Sequence, residues 1–211
     1  MFTVFAVVCA LGLSLALYGE FLGRSPWVAA GKMIAASAYM AAAFALGAPY
    51  SQYGRLLLAA MLVCSLGDPL LVSRKSRRLF VAGHAAFLVG HLCYAGAFIV
   101  RGVTPVPALA GLILLSIFAW RVSAWLRPHL EQRMKLPVHL YIAAICLMML
   151  LALGTAGSSG SGLVISGALL FLVSDLFVAR NRFVTPGFVN RAAGLPLYFS
   201  AQLILAATVG Y

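Results

Sequence analysis

Two aspartates stand inside long apolar runs, Asp68 in Leu66-Gly-Asp-Pro-Leu-Leu-Val72 and Asp175 in Phe171-Leu-Val-Ser-Asp-Leu-Phe-Val178. A charge within a membrane costs about 2.5–3.5 kcal/mol on insertion scales, so each aspartate asks for a reason. Asp68 precedes Ser73 by five residues and Asp175 precedes Arg180 by five, which on a helix sets both carboxyls about 7.5 Å inside a polar boundary. Carboxyl groups held at one depth suit proton transfer, in acid–base catalysis or in coupled transport. The plainer alternative is that each snorkels to the headgroups or pairs with a nearby arginine such as Arg74 or Arg180, but Asp is too short to snorkel far.

Other polar side chains fall at the same level once the flanking segments are read as helices. Lys32, His84, His139, Tyr141, Tyr198 and Gln202 lie a few residues into their segments, and Glu20 ends the first. His84, His91 and Tyr94 are spaced by seven and three, which aligns them as a polar stripe on one helix face. Taken singly each has an ordinary reading, as a snorkelling lysine, a packed histidine or an interfacial tyrosine. Together they describe a polar pocket open at one end of the bundle.

The segments that carry these residues are membrane helices. Of 211 residues, 64% are hydrophobic and 9% charged, at a mean hydropathy of +1.03, more apolar surface than a water-soluble domain could cover. The runs lack the alternation of barrel strands, so helices are the spanning element. About twenty apolar residues span the hydrocarbon, and cutting at charged, Pro and Gly clusters gives eight segments, at roughly 2–22, 27–47, 55–73, 79–100, 105–125, 136–153, 163–180 and 192–210. The expected fold is an all-α bundle of about eight transmembrane helices forming one domain over 1–211. The first segment has no basic leader and reads as a retained helix rather than a signal peptide.

The net charge of +11 belongs to this topology rather than to nucleic-acid binding, since the basic residues sit in short connections and no stacking platform for bases is present. Odd-numbered connections carry Arg24; Arg74, Lys75, Arg77 and Arg78; Arg127, Arg133 and Lys135; and Arg180, Arg182 and Arg191, whereas even-numbered ones carry only Arg55 and Arg101. This bias puts the odd connections in the cytoplasm and both termini outside, with bacterial inner membrane as the expected location. The third and seventh segments are alike, Ser65-Leu-Gly-Asp-Pro-Leu-Leu-Val-Ser-Arg74 beside Val173-Ser-Asp-Leu-Phe-Val-Ala-Arg180. Four segments separate them, which suits a parallel four-plus-four repeat; chance likeness of two apolar helices ending at a basic boundary explains it equally well.

Several chemistries are set aside. Cys9, Cys64, Cys93 and Cys146 all lie within apolar segments with no CxxC pair, against disulfides and thiolate metal sites. No HExxH, GKS/T or GxSxG pattern occurs, so neither a metal nor any other cofactor is expected, and the glycines from Gly154 to Gly162 read as a flexible turn.

At these residues the sequence resembles the YhhN-like lysoplasmalogenase family of integral membrane hydrolases. The resemblance is carried in order by Gly31-Lys32, Ser65-Leu-Gly-Asp68, Phe80-Val-Ala-Gly-His84, Gly90-His91-Leu-Cys-Tyr94, Leu136-Pro137 with Tyr141, Gly167-Ala-Leu-Leu-Phe171 with Ser174-Asp175, and Tyr198 with Gln202. It implies hydrolysis of the vinyl ether bond of lysoplasmalogen, or of a related ether or lyso-lipid, to a fatty aldehyde and a glycerophospho-alcohol. Asp68 and Asp175 are the implied catalytic pair, and Lys32, His84, His91, Tyr94, Tyr141, Tyr198 and Gln202 bind substrate or support them. Vinyl ether hydrolysis needs one protonated and one ionised carboxyl, a division familiar from glycosidases. A lyso-phospholipid partner would place its phosphate among the basic rim residues and its tail between helices. The competing reading is a small proton- or cation-coupled transporter using the same aspartates; a noncatalytic scaffold would leave them unexplained.

Overall fold

The computed structural model describes residues 1–72 and 76–211, so Ser73, Arg74 and Lys75 of the first large basic connection lie outside the described residues. Among the described residues are eight helices long and apolar enough to cross a membrane: α1 (Phe2–Phe21), α2 (Ser25–Ala45), α3 (Gln52–Val72), α4 (Arg77–Arg101), α5 (Pro105–Leu126), α6 (Gln132–Gly154), α7 (Ser161–Ala179) and α8 (Phe188–Ala207). The protein is an integral membrane helical bundle. Hydropathy set most boundaries within a residue or two, but α6 and α8 begin four residues before the apolar runs suggest. Hydropathy reports the hydrocarbon thickness, whereas Gln132, Arg133 and Lys135 continue the α6 helix into the headgroup layer.

Neighbours in sequence pack as antiparallel hairpins, α1 on α2, α3 on α4, α5 on α6 and α7 on α8. Beyond the hairpins, α2 lies against α3 and α8, and α6 lies against α7 and α4. The arrangement therefore repeats under a shift of four helices. Its main departure concerns the outer helices, because α1 also rests on α8, while α5 buries only Gly111 and Leu126 and faces lipid along most of its length.

Close packing follows small residues, as expected where lipid supplies no hydrophobic drive between helices. On α1 the buried residues are Cys9, Gly12, Ala16 and Gly19, one narrow stripe at helical spacing. A Cβ on Gly12 would stand 2.6 Å from the Ala35 nitrogen and 2.8 Å from the Gly31 carbonyl oxygen, so α1 and α2 touch backbone to backbone. At the end of the bundle opposite the aspartates, Arg101 donates to the carbonyl oxygens of Thr208 (3.2 Å) and Ser159 and lies over the Tyr53 ring. Tyr53 and Thr208 share a 2.6 Å hydroxyl bond there, which fastens the end of α8 to α3.

Gly12→Val is expected to force α1 off α2 and lower stability by about 1–3 kcal/mol, read as an earlier thermal transition in detergent. Gly162→Ala, where a Cβ meets nothing within 4 Å, should melt at or slightly above the wild-type temperature. Equal behaviour of the two variants would refute the close approach.

Candidate active site

Asp68 lies in the fifth turn of α3, followed by Pro69 within the helix. Proline brings no N–H to the ladder, so the Ser65 carbonyl loses its usual partner one turn below. Prolines recur beside the other donors of the site, Pro137 four residues before Tyr141 on α6 and Pro196 two before Tyr198 on α8. Each proline thus takes one hydrogen bond out of its helix within a turn or so of a residue that lines the cavity of the site.

Both carboxyls line that cavity, together with Lys32, His84, Tyr141 and Tyr198. Around Asp68, the Lys32 ammonium donates to Oδ1 at 2.8 Å and the Tyr198 hydroxyl donates to Oδ2 at 2.9 Å. The side chains of Lys32 and Asp68 are only 4% and 2% exposed, so this is a buried ion pair with both carboxylate oxygens occupied. Tyr39 stands 3.5 Å behind Tyr198 and, since the Tyr198 proton points at Asp68, it is the Tyr39 hydroxyl that donates.

Asp175 is held differently. The Tyr141 hydroxyl donates to Oδ2 at 2.7 Å, and His91 Nε2 lies 3.2 Å from the same oxygen and 3.1 Å from the Tyr141 hydroxyl. His91 Nδ1 has no hydrogen-bond partner, so the tautomer with its proton on Nε2 is the one that leaves no buried N–H without an acceptor. Two neutral donors thus converge on one oxygen. Among the described residues none donates to Oδ1, and the Asp175 side chain is 12% exposed, six times the exposure of Asp68.

The two aspartates have equivalent surroundings in the repeat but different chemistry. Asp175 follows Asp68 by 107 residues and Tyr198 follows His91 by the same 107. Each carboxyl takes one donor from the preceding helix, Lys32 on α2 or Tyr141 on α6, and one from the last helix of the other half, Tyr198 on α8 or His91 on α4. The site straddles the joint between the halves.

Six of the nine residues singled out in the sequence thus line the cavity, and a seventh, His91, bonds Asp175 from behind. His84 stacks on Tyr141 with ring centroids 4.2 Å apart, so it braces the phenol rather than touching a carboxyl. Tyr94 and Gln202 are fully buried and bond to each other, the Tyr94 hydroxyl donating to Oε1, outside the cavity lining. The three-residue step from His91 to Tyr94 turns the helix by about 60° short of a full circle, enough to send one to α7 and the other to α8. His139 is exposed, its Nδ1 donating to the Lys135 carbonyl oxygen at 2.6 Å; two residues from Tyr141, it faces the opposite way. The mouth residues Asn181, Arg182, Asn190 and Arg191 also line the cavity. The sequence signals the two arginines as part of a basic connection, whereas Asn181 and Asn190 stand out only as the partners of those arginines in two Asn-Arg dipeptides flanking Pro186-Gly187.

No group of three or more His, Cys, Asp or Glu side chains among the described residues is arranged to hold a metal ion. The chemistry open to this arrangement is proton transfer between carboxyls of unequal surroundings in a low-dielectric chamber.

Lys32→Met would leave the Asp68 charge buried without its partner and should destabilise the fold by about 3–5 kcal/mol. Asp68→Leu in the same chain should restore much of that loss, because removing both charges removes the desolvation penalty too. Unfolding midpoints of the two single variants and the double variant in detergent measure the coupling, and simple additivity would show that the pair is not an energetic unit.

Known proteins resemble this chain along most of its length. The model of the YhhN family matches residues 26–209. A protein of Mycobacterium bovis named lysoplasmalogenase is 29% identical over 184 residues, covering 82% of this chain and 67% of its own. The mouse protein named lysoplasmalogenase TMEM86B is 38% identical over 151 residues, 71% of this chain and 61% of its own, and its human namesake 34% over 158 residues, 74% and 64%. This chain therefore spans about two thirds or less of the length of these relatives. No solved structure matches it. With the family match running from the start of α2 to the end of α8, and with it over every residue that touches the two carboxyls, the chain belongs to the YhhN family.

Proposed function

We propose that this protein hydrolyses the vinyl ether bond of lysoplasmalogen, or of a closely related single-chain ether lipid, with Asp175 as the proton donor and Asp68, ion-paired with Lys32, as its partner. The observation that carries the reading is the inequality of the two carboxyls at one cavity. Asp68 is matched by an ammonium and has both oxygens engaged, whereas Asp175 has only neutral donors and one oxygen left for substrate. The relatives named lysoplasmalogenase support the choice of substrate class.

The chemistry follows from that division. A proton on Asp175 Oδ1 passes to the vinyl carbon remote from oxygen, and the electrons of the double bond form the new C–H bond. The adjacent carbon becomes an oxocarbenium ion, stabilised by the fixed negative charge of Asp68. Water adds to that carbon and gives its proton back to the Asp175 carboxylate, leaving a hemiacetal. Collapse of the hemiacetal breaks the bond to the glycerol oxygen, which takes the proton, and releases the fatty aldehyde. Tyr141 and His91 hold Asp175 in place for both transfers, and His84 holds Tyr141.

Transport through the same aspartates is the weaker reading. Tyr39, Met61, Tyr94, Phe98, Phe171 and Phe199 are fully buried and fill the bundle interior. In the membrane we take the basic connections, and with them the mouth of the cavity, to face the cytoplasm of a bacterial cell.

Purified protein in detergent is expected to release aldehyde from lysoplasmalogen. In heavy water the aldehyde should carry one solvent deuterium on the carbon next to the carbonyl, read by mass spectrometry, since that carbon receives the catalytic proton. Asp175→Asn should lower kcat by about 10²–10⁴, and Tyr141→Phe should lower it less, by about tenfold. Turnover by Asp175→Asn at the wild-type rate, or aldehyde without solvent deuterium, would overturn the assignment.

A further inference from the structure

The inner end of the cavity is acidic and its mouth is cationic. Arg182 and Arg191 both line it, one from the wide turn Arg180–Val184 that closes α7 and the other from the first turn of α8. Neither hangs from a loose loop. Gly187 N–H donates to Asn181 Oδ1 at 3.0 Å, Asn190 Nδ2 donates to the Thr185 carbonyl oxygen at 2.7 Å, and Arg180 donates to Asn190 Oδ1 at 2.5 Å. The asparagine of each Asn-Arg dipeptide thus stitches the connection, and the arginine beside it is presented to the cavity.

The guanidinium groups are positioned from a second side. The Arg182 guanidinium carbon lies 4.2 Å from the centroid of Phe80, itself a cavity wall, in a cation–π contact. Arg191 Nε lies 3.7 Å from Glu20 Oε1, and its side chain is only 15% exposed. A partly desolvated guanidinium held in one orientation is suited to a phosphate oxygen pair.

We propose that Arg182 and Arg191 form the binding site for the phosphodiester of the lipid headgroup, and that they make the enzyme selective for single-chain ether lipids that carry a phosphate over those that end in free glycerol. This rests on the vinyl ether reading above and adds the recognition element to it. The charge pattern also sets the direction of binding. A phosphate drawn toward the arginines stays at the mouth, while Lys32 is already matched by Asp68, so the ether oxygen, across the three carbons of glycerol, meets the carboxyls.

The test compares two substrates, 1-alkenyl-glycerophosphoethanolamine and 1-alkenylglycerol, with the 211-residue chain in vesicles of a zwitterionic phospholipid. Wild type should prefer the phosphorylated substrate. Arg182→Gln and Arg191→Gln should each cut the ratio of the two kcat/KM values at least tenfold, chiefly by raising KM for the phosphorylated substrate, and Arg→Lys at either position should recover part of it. Arg121→Gln, on α5 and outside the cavity, should leave the ratio unchanged. A ratio that stays at the wild-type value in both Gln variants, or that falls equally for Arg121→Gln, overturns the proposal.

A binding arm keeps this separate from the catalytic reading. Lyso-phosphatidylethanolamine, which has no vinyl ether, should bind wild type more tightly than either Gln variant by calorimetry. Arginine-dependent binding in a protein that cleaves no vinyl ether would uphold the phosphate site and sink the proposed reaction; cleavage without arginine-dependent binding would do the reverse.

Discussion

Lys32 and Asp68 place two full charges 2.8 Å apart inside a bundle whose other interior residues are almost all apolar. Neither could stay there alone, because an ion taken out of water without a partner costs far more than any single packing contact returns. The pair therefore fixes how three helices meet. Lysine on α2 must reach α3, and the second oxygen of Asp68 must find a donor, which α8 supplies through Tyr198. The first and last thirds of the chain are joined at this point, and α1 is held against α2 just beside it through Gly31, the residue before Lys32.

The other half of the bundle repeats this plan with weaker electrostatics. Tyrosine stands where lysine does, histidine where the second tyrosine does, and one oxygen of Asp175 is left out of the protein's own network. A symmetric frame thus carries one ion-paired and one neutral-bonded carboxyl, and this inequality is what the proposed acid–base reaction rests on. Phe171 keeps the two sides in register, with edge contacts to His91 at 4.8 Å and to Tyr198 at 5.3 Å, one donor from each carboxyl's set. Rigid aromatic packing between the halves holds the carboxyls where they are.

Lipid shapes the site as much as the side chains do. The cavity combines polar groups at its inner end with walls such as Leu71, Phe80, Phe87, Phe177 and Leu195, so a single-chain lipid can present its polar region without leaving an apolar surround. The exposed length of α5 and the stripe of small residues on α1 answer to the same solvent: helices here associate by close fit and polar bonds rather than by hiding oil from water.

The number of helices, and the place of each aspartate a few residues from the end of its helix, were legible in the chain alone. Both follow from one-dimensional arithmetic: the hydrocarbon thickness fixes about twenty residues per span, and counting from a helix end fixes depth. That Lys32, His84, Tyr141 and Tyr198 share one cavity with the aspartates was legible for the same reason. Facing was not legible, since a change of two or three residues rotates a side chain to another neighbour, which is why His139 points outward and why Tyr94 parts from His91 to join Gln202. Partnership was not legible either. Only the packing of α8 on α2 and of α4 on α6 brought Tyr198 to Asp68 and His91 to Asp175, and with those pairings came the inequality of the carboxyls. Helix spacing is a property of the chain, but which donor reaches which oxygen is a property of the assembled bundle.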